Sequence, residues 1–203
     1  MTIGRGTAYG RPGALPPDGI VARSDAEAAA AVREARRGGH APPVLGLVGG
    51  DLCRTLGGPG DEGRLRSEDA VTFPVDLGVV LLDGRLDVFV AHLVARRRGW
   101  GGRFAVVMNA EWLGELDLGP RAHPGDGLLD VTEGRLGLRD RLEARRRART
   151  GSHLPHPDLR TARRGAVDLS FPGGVPVHLD GEARGHATEI LVHVEPDALR
   201  VVV

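Results

Sequence analysis

The sequence predicts an α+β protein in two parts: a small α/β segment over residues 1–68, then a larger β-rich, sandwich-like domain over residues 69–203. Three observations lead there. Up to about residue 68 the apolar runs alternate as strand, helix, strand, Gly turn and helix, which is an α/β pattern. Beyond it, short apolar runs recur with Gly turns between them, as in a sandwich or a related sheet. Hydrophobic residues make up 41% of the chain but aromatics only 3%, so the core has to be built from Leu, Val and Ala.

The elements follow in order. Met1–Pro17 is rich in Gly and Pro and reads as loop. Its Gly4-Arg5-Gly6 with Gly10 has neither the spacing nor the preceding strand of a dinucleotide fingerprint. Gly19–Arg23 reads as a short strand. Ser24, with Glu27 three residues on, forms a capping box for a helix over Ala26–Arg37, which Gly38-Gly39 stops. Val44–Val48 is an apolar strand between Pro42-Pro43 and Gly49-Gly50. Asp51 caps a short helix that runs through Leu56 to Gly57-Gly58, with Cys53 as a small core residue on it. Past Ser67, Val71–Leu82 and Leu86–Arg96 form a hairpin around Asp83-Gly84. Strands follow at Phe104–Asn109, Leu128–Val131, Val167–Phe171, Val175–Leu179, Glu189–Glu195 and Leu199–Val203, interrupted by one helix, Leu138–Arg149.

Composition excludes several chemistries. All 27 basic residues are Arg, and there is no Lys. That removes the P-loop and protein-kinase lysines and a pyridoxal Schiff base. Scarce Asn and Ile beside abundant Gly, Ala, Pro and Arg fit a GC-rich coding sequence. A single Cys rules out a Cys-rich zinc site and a disulfide within the chain. No Gly-x-Ser-x-Gly elbow is present. The formal net charge is zero, with 27 acidic residues against 27 basic ones, and few rings are available for base stacking. No nucleic-acid partner is therefore expected. No apolar run approaches the ~20 residues of a membrane span, and the start lacks an apolar leader, so a cytoplasmic protein is expected.

Three segments concentrate unusual residues. The densest is Met108–Asp130, with Asn109 and the run Pro120-Arg121-Ala122-His123-Pro124-Gly125-Asp126-Gly127-Leu128-Leu129-Asp130. The second is Asp180-Gly181-Glu182 between two strands. The third is Leu45–Gly57, which holds Gly49-Gly50-Asp51. Each has a plain structural reading: Gly-Asp-Gly and Asp-Gly turns, and an ordinary strand-to-helix turn. The Arg runs (Arg96–Arg98, Arg145–Arg147 with Arg149, Arg163-Arg164) read either as solvated faces or as contacts for anionic headgroups at a membrane. His153 and His156 lack a third nearby ligand, so they are not read as a metal site.

The order of these pieces resembles the C-terminal half of the diacylglycerol kinase catalytic-domain family, which includes bacterial lipid kinases and sphingosine kinases. Asn109 is followed by Pro-x-Ala-x-Pro-x-Asp-Gly-Leu-Leu-Asp-Val, then by Gly151-Ser152-His153, Val-x-Leu-Asp-Gly-Glu and Val-x-Pro-x-Ala-Leu-x-Val. The match covers about residues 104–203. It implies a nucleotide-binding α/β domain and a C-terminal β-sandwich with the active site between them. It further implies phosphoryl transfer from ATP to a lipid hydroxyl, with Glu182 as the catalytic base. Mg²⁺ would sit on Asp126 and the carbonyls of His123 and Leu128.

The first segment departs from the family pattern. Gly49, Gly50 and Asp51 are candidates for nucleotide phosphates at a helix N-terminus, yet Leu52 follows them where the family carries Gly-Thr. Leu45–Gly57 looks instead like a shortened form of the family's Pro-x-Gly-Thr-x-Asn-Asp-x-Ala-Arg-x-Leu-Gly segment. The phosphate loop would then fall near Ala22–Ala26, where Arg23-Ser24-Asp25 stands. The expectation is a truncated or degenerate member. It is either an active lipid kinase using ATP and Mg²⁺, or an inactive relative that binds a lipid, a nucleotide or a protein partner.

Overall fold

A computed structural model of the chain describes residues 9–203. Gly4-Arg5-Gly6 lies outside the described residues. Helix accounts for 19% and strand for 44%, in a mixed α+β fold dominated by one large, mainly antiparallel sheet.

The chain begins with β1 (Arg11–Pro12), β2 (Ile20–Ala22), α1 (Asp25–Arg37), β3 (Leu45–Leu47) and α2 (Asp51–Thr55). The predicted start of α1 is real: the Ser24 hydroxyl accepts the Glu27 amide at 3.2 Å, and Glu27 Oε2 accepts the Arg23 amide at 2.8 Å. Ala28, Ala29 and Val32 turn inward as the buried stripe of α1. β2 and β3 pair in parallel with α1 crossing between them.

The hairpin expected around Asp83-Gly84 joins β4 (Val71–Leu82) to β5 (Arg85–Phe89). Asp83 and Gly84 both have positive φ, 47° and 81°, which matches the twist of a two-residue turn. The sequence runs on as one strand to Arg96, but the structure breaks it at Val90-Ala91. β6 (His92–Ala95) begins a new pairing there, for a reason given below. Next come β7 (Phe104–Met108), the small hairpin β8 (Trp112–Leu113) and β9 (Leu116–Asp117), and β10 (Leu129–Gly134). After α3 (Leu138–Arg147) come β11 (Leu159–Arg164), β12 (Ala166–Leu179) and β13 (Glu182–Val202). β12 and β13 each join two runs that the sequence reads as separate strands. A bulge between Ser170 and Val175 absorbs Gly173-Gly174, and one between Glu195 and Leu199 absorbs Pro196-Asp197. β8, β9 and β11 carry no apolar alternation, and the sequence does not announce them.

The sheet runs β1-β4-β13-β12-β6-β7-β10-β11, with β5 on β4 and β3 on β13. β3 pairs in parallel with the end of β13, Val201 opposite Leu45. Residues 9–68 and the rest therefore share a sheet, and they also share a core. Ala28, Val32, Leu45, Leu52 and Cys53 pack with Val75, Leu77, Val88, Leu199 and Val201. A second core lies within the β-rich part, around Phe89, Leu93, Val107, Leu129, Leu169, Leu179 and Ile190. Period-two alternation feeds both: on β4, Val75, Leu77 and Val79 face the first core, and Val80 and Leu82 the second. Among the described residues, no helix is long and apolar enough to cross a membrane.

Candidate functional site

The starts of α1 and α2 meet at a carboxylate. Asp25, at the first turn of α1, is 6% exposed and directs its side chain at the start of α2. Its Oδ2 accepts the Asp51 amide at 2.6 Å and its Oδ1 the Leu52 amide at 3.1 Å. These are the N–H groups that a helix start leaves without partners in its own helix. The two glycines before them permit the approach. Gly50 has φ +94°, and a Cβ there would stand 2.5 Å from Asp25 Oδ1; one on Gly49 would stand 2.4 Å from the Arg23 carbonyl.

Asp51 extends the cluster. Its Oδ2 lies 3.0 Å from His92 Nε2, and its carboxylate accepts the Gly114 amide from the β8–β9 hairpin. That hairpin is clamped over α2 by Arg54, whose guanidinium stacks 3.4 Å from the Trp112 ring centroid and donates to the Gly114 carbonyl. His92 is 3% exposed at the start of β6.

Asp180, the first residue of the Asp-Gly-Glu turn, closes the arrangement. Its carboxylate accepts three buried amides, those of Val90 at 2.9 Å, Ala91 at 2.9 Å and His92 at 3.0 Å. Its own amide donates to the His92 carbonyl. This side chain bends the chain between β5 and β6 and breaks the strand expected over Leu86–Arg96.

The charges in this cluster perturb one another. Burial, reinforced by Asp180, pushes the Asp25 carboxyl up to about 6 against the pull of its two amides. Burial also raises Asp180, opposed by His92 and the three amides. For Asp51, burial is outweighed by the His92 hydrogen bond and the Gly114 amide, and the carboxyl sits below its ordinary value. Burial disfavours a charged His92, but Asp51, Asp180 and Asp25 prevail and raise it. Asp25, Asp51 and His92 offer ligand atoms within 4.8 Å of one another, the one such His/Cys/Asp/Glu set among the described residues.

The three expected groups fall out as follows. The Gly49-Gly50-Asp51 turn and the Asp-Gly-Glu turn do come together, through His92. Glu182 stands beside them, half-exposed, ion-paired with Arg184 at 2.6 Å and with Arg33 of α1 at 3.6 Å.

His123, Asp126 and Leu128 belong to a separate network centred on Asp76. Asp76 accepts the amides of Gly127 and Asp197, and the Asp76 amide donates to Pro124. Asn109 ties the two networks, its Nδ2 donating to the Asp76 and Val90 carbonyls at 2.8 Å each. Asp126 Oδ1 accepts the Leu128 amide, and its Oδ2 is ion-paired with Arg163. The His123 carbonyl accepts the Gly125 amide, and its ring packs on Tyr9. A guanidinium already neutralises Asp126, so these residues fit a divalent cation poorly. The sequence reading passed over His92 and Asp76, each a lone polar residue inside an apolar strand pattern, and that interruption is the signal each one offers.

The comparisons with known proteins bear on the fold. Residues 95–203, more than half of the chain, match the YegS C-terminal NAD kinase beta sandwich-like domain. No curated protein matches the sequence. Among solved structures, a diacylglycerol kinase from Bacillus anthracis str. Sterne superposes with a TM-score of 0.58 at 17% identity, covering 79% of this chain and 66% of that one. Two further structures from that organism, also named for diacylglycerol kinase, give TM-scores of 0.58 and 0.59 at 14% identity, each covering 79% of this chain and 69% of theirs. The chain thus spans about two thirds of the length of these relatives, and at such identities the likeness is one of fold. With a sandwich match over its C-terminal half and a diacylglycerol kinase-like fold over most of its length, the chain belongs to the family defined by the YegS-type C-terminal β-sandwich domain.

Proposed function

We propose that this chain is a lipid-kinase-like protein that binds a lipid or protein partner without transferring phosphate. One observation carries the reading: the Asp25 carboxylate occupies the Asp51 and Leu52 N–H groups that follow Gly50. An anion-binding helix start offers those amides to a phosphate. Here an acidic side chain of the same chain takes them, and its charge repels a nucleotide. Phosphoryl transfer relies on positioning and charge stabilisation, and an acid at the phosphate position opposes both.

The experiment is transfer of labelled phosphate from ATP into diacylglycerol-containing vesicles, with Mg²⁺ and with Mn²⁺, beside a nucleotide thermal-shift titration. The expected outcome is no labelled lipid and no shift, with saturable lipid or partner binding retained. Metal-dependent transfer that Glu182→Gln abolishes overturns the proposal.

A specific observation favours the second reading, an active kinase. His92 joins Asp51 to Asp180, so the Gly-Gly-Asp turn and the Asp-Gly-Glu turn that carries Glu182 meet at one place. In that case Glu182 takes the lipid hydroxyl proton and ATP is the phosphate donor, and any Mg²⁺ comes with the nucleotide rather than from Asp126.

A further inference from the structure

α3 carries its apolar residues on the wrong side for a core helix. A helix on a protein surface turns its apolar stripe inward. Leu138 and Leu142 are each 67% exposed, and α3 has no buried residue along its length. It rests on the protein through half-buried Asp140, Arg141 and Ala144, with Ala148 buried just beyond its end. At about 100° per residue, Leu138, Leu142 and Arg145 form one outward stripe, flanked by Arg139 and Arg146, with exposed Arg149 in the 3-10 turn just beyond. Of the two acids of the helix, Asp140 faces inward, and Glu143 is exposed at the edge of this face, where it pairs with Arg147.

The cations on the stripe are largely uncommitted. Arg149 pairs with exposed Glu115 at 3.7 Å, whereas Arg139, Arg145 and Arg146 have no ion-pair partner among the described residues. Arg141 donates to the Gly99 carbonyl at 2.7 Å, which brings exposed Arg97 and Arg98 alongside the same helix. The whole chain is neutral, so this is a local concentration of positive charge rather than a general property.

We infer that the outward face of α3 docks on an anionic lipid bilayer. The leucines enter the headgroup–acyl boundary and the guanidinia meet the lipid phosphates. A face of leucines and arginines, whose one flanking acid is already paired with Arg147, complements a negatively charged apolar interface. Nucleic acid complements the arginines but leaves both leucines in water. The inference goes beyond the proposed function and does not depend on it, because docking works equally for a binding module and for an enzyme.

The test is sedimentation of the full chain with phosphatidylcholine vesicles containing about 30 mol% phosphatidylglycerol, against pure phosphatidylcholine. Binding is expected to the anionic vesicles and to fall steeply with salt. Each arginine near the surface contributes about fivefold in partitioning, so Arg145→Ala with Arg146→Ala lowers binding about 25-fold. Leu138→Ser with Leu142→Ser abolishes it. Both pairs are exposed, so the variants fold, and unchanged melting confirms this. Equal binding to neutral and anionic vesicles, binding that survives both double variants, or binding to RNA but to neither vesicle overturns the inference. Phosphate transfer is read separately, so the two proposals fail independently.

Discussion

Replacing Asp180 by Ala removes the acceptor that holds the bend between β5 and β6. Three buried amides, those of Val90, Ala91 and His92, lose their partner. A buried donor left unsatisfied costs about 1–3 kcal/mol, so three set a floor of about 3 kcal/mol. Asp180 also has φ 50°, and an alanine in that left-handed position adds about 1 kcal/mol.

Part of this is offset, because Asp180 is a buried carboxylate whose charged form is disfavoured by burial. Asp180→Asn separates the two effects. Asparagine tolerates the left-handed turn and carries no charge. Its oxygen still reaches the Ala91 and His92 amides, so only the Val90 amide is lost. The step from the Asn to the Ala variant is therefore free of the charge change. It reports two amides and the turn, about 2 kcal/mol or more.

The assay is urea unfolding, with midpoints compared at constant slope, beside hydrogen exchange of the Val90–His92 amides. Stability is expected to fall in the order wild type, Asn, Ala, with those three amides exchanging fastest in the Ala variant. An Ala variant within about 1 kcal/mol of the Asn variant, or unchanged exchange at those amides, refutes the assignment of the bend to Asp180.

Two further predictions concern the same cluster. The Asp25 carboxyl is raised from 3.8 to about 6 in the folded chain, so between those values the folded state holds a proton that the unfolded state has released. Its contribution to stability is then fullest below pH 3.8 and declines as the pH rises to about 6, by about 3 kcal/mol. His92, also raised, acts in the same direction: its contribution is complete below pH 6.5 and is lost as the pH climbs through its folded value. Unfolding midpoints measured across that range should fall with pH, and Asp25→Asn should flatten the lower part; an undiminished slope in the variant contradicts the argument. Gly50→Ala forces a Cβ to 2.5 Å from Asp25 Oδ1 and 2.8 Å from the Asp25 amide nitrogen at φ +94°, so it should lower the melting temperature by several degrees, whereas Gly57→Ala, also at positive φ but with nothing within 4 Å, should cost less. Equal melting temperatures for the two variants contradict the close approach at Gly50.

Local rules made much of the fold legible. Ser24 with Glu27 announces α1, Asp83-Gly84 the first hairpin, and the apolar runs most of the strands. The misreadings arise where a distant residue overrides a local pattern. Leu86–Arg96 is apolar enough to run straight, and only Asp180, about 90 residues away, bends it. β12 and β13 look interrupted by Gly173-Gly174 and Pro196-Asp197, but their partners carry the ladder past each bulge. β11, with Arg160, Arg163 and Arg164, is an edge strand of the kind whose charges hide it from a hydrophobic pattern.

The candidate site divides along the same line. The two turns that the sequence singled out do converge, because each is a short-range motif with Gly where the backbone needs it. What joins them was not legible. Asp25 reads locally as an ordinary first-turn acid on α1, and His92 as a polar slip in a strand. Their meaning depends on where α2 and the Asp-Gly-Glu turn lie in space. Asp126 shows the converse. It sits in the most distinctive motif of the chain, yet Arg163 from the edge strand takes its charge, and no spacing rule could place that guanidinium beside it. A motif thus fixes which residues are available, while the partners that tertiary packing brings to them decide the chemistry. At the Gly49-Gly50 turn the decisive partner is the Asp25 carboxylate, which takes the Asp51 and Leu52 amides. The family fold is kept, and under the proposed function this carboxylate is the group that keeps a nucleotide out.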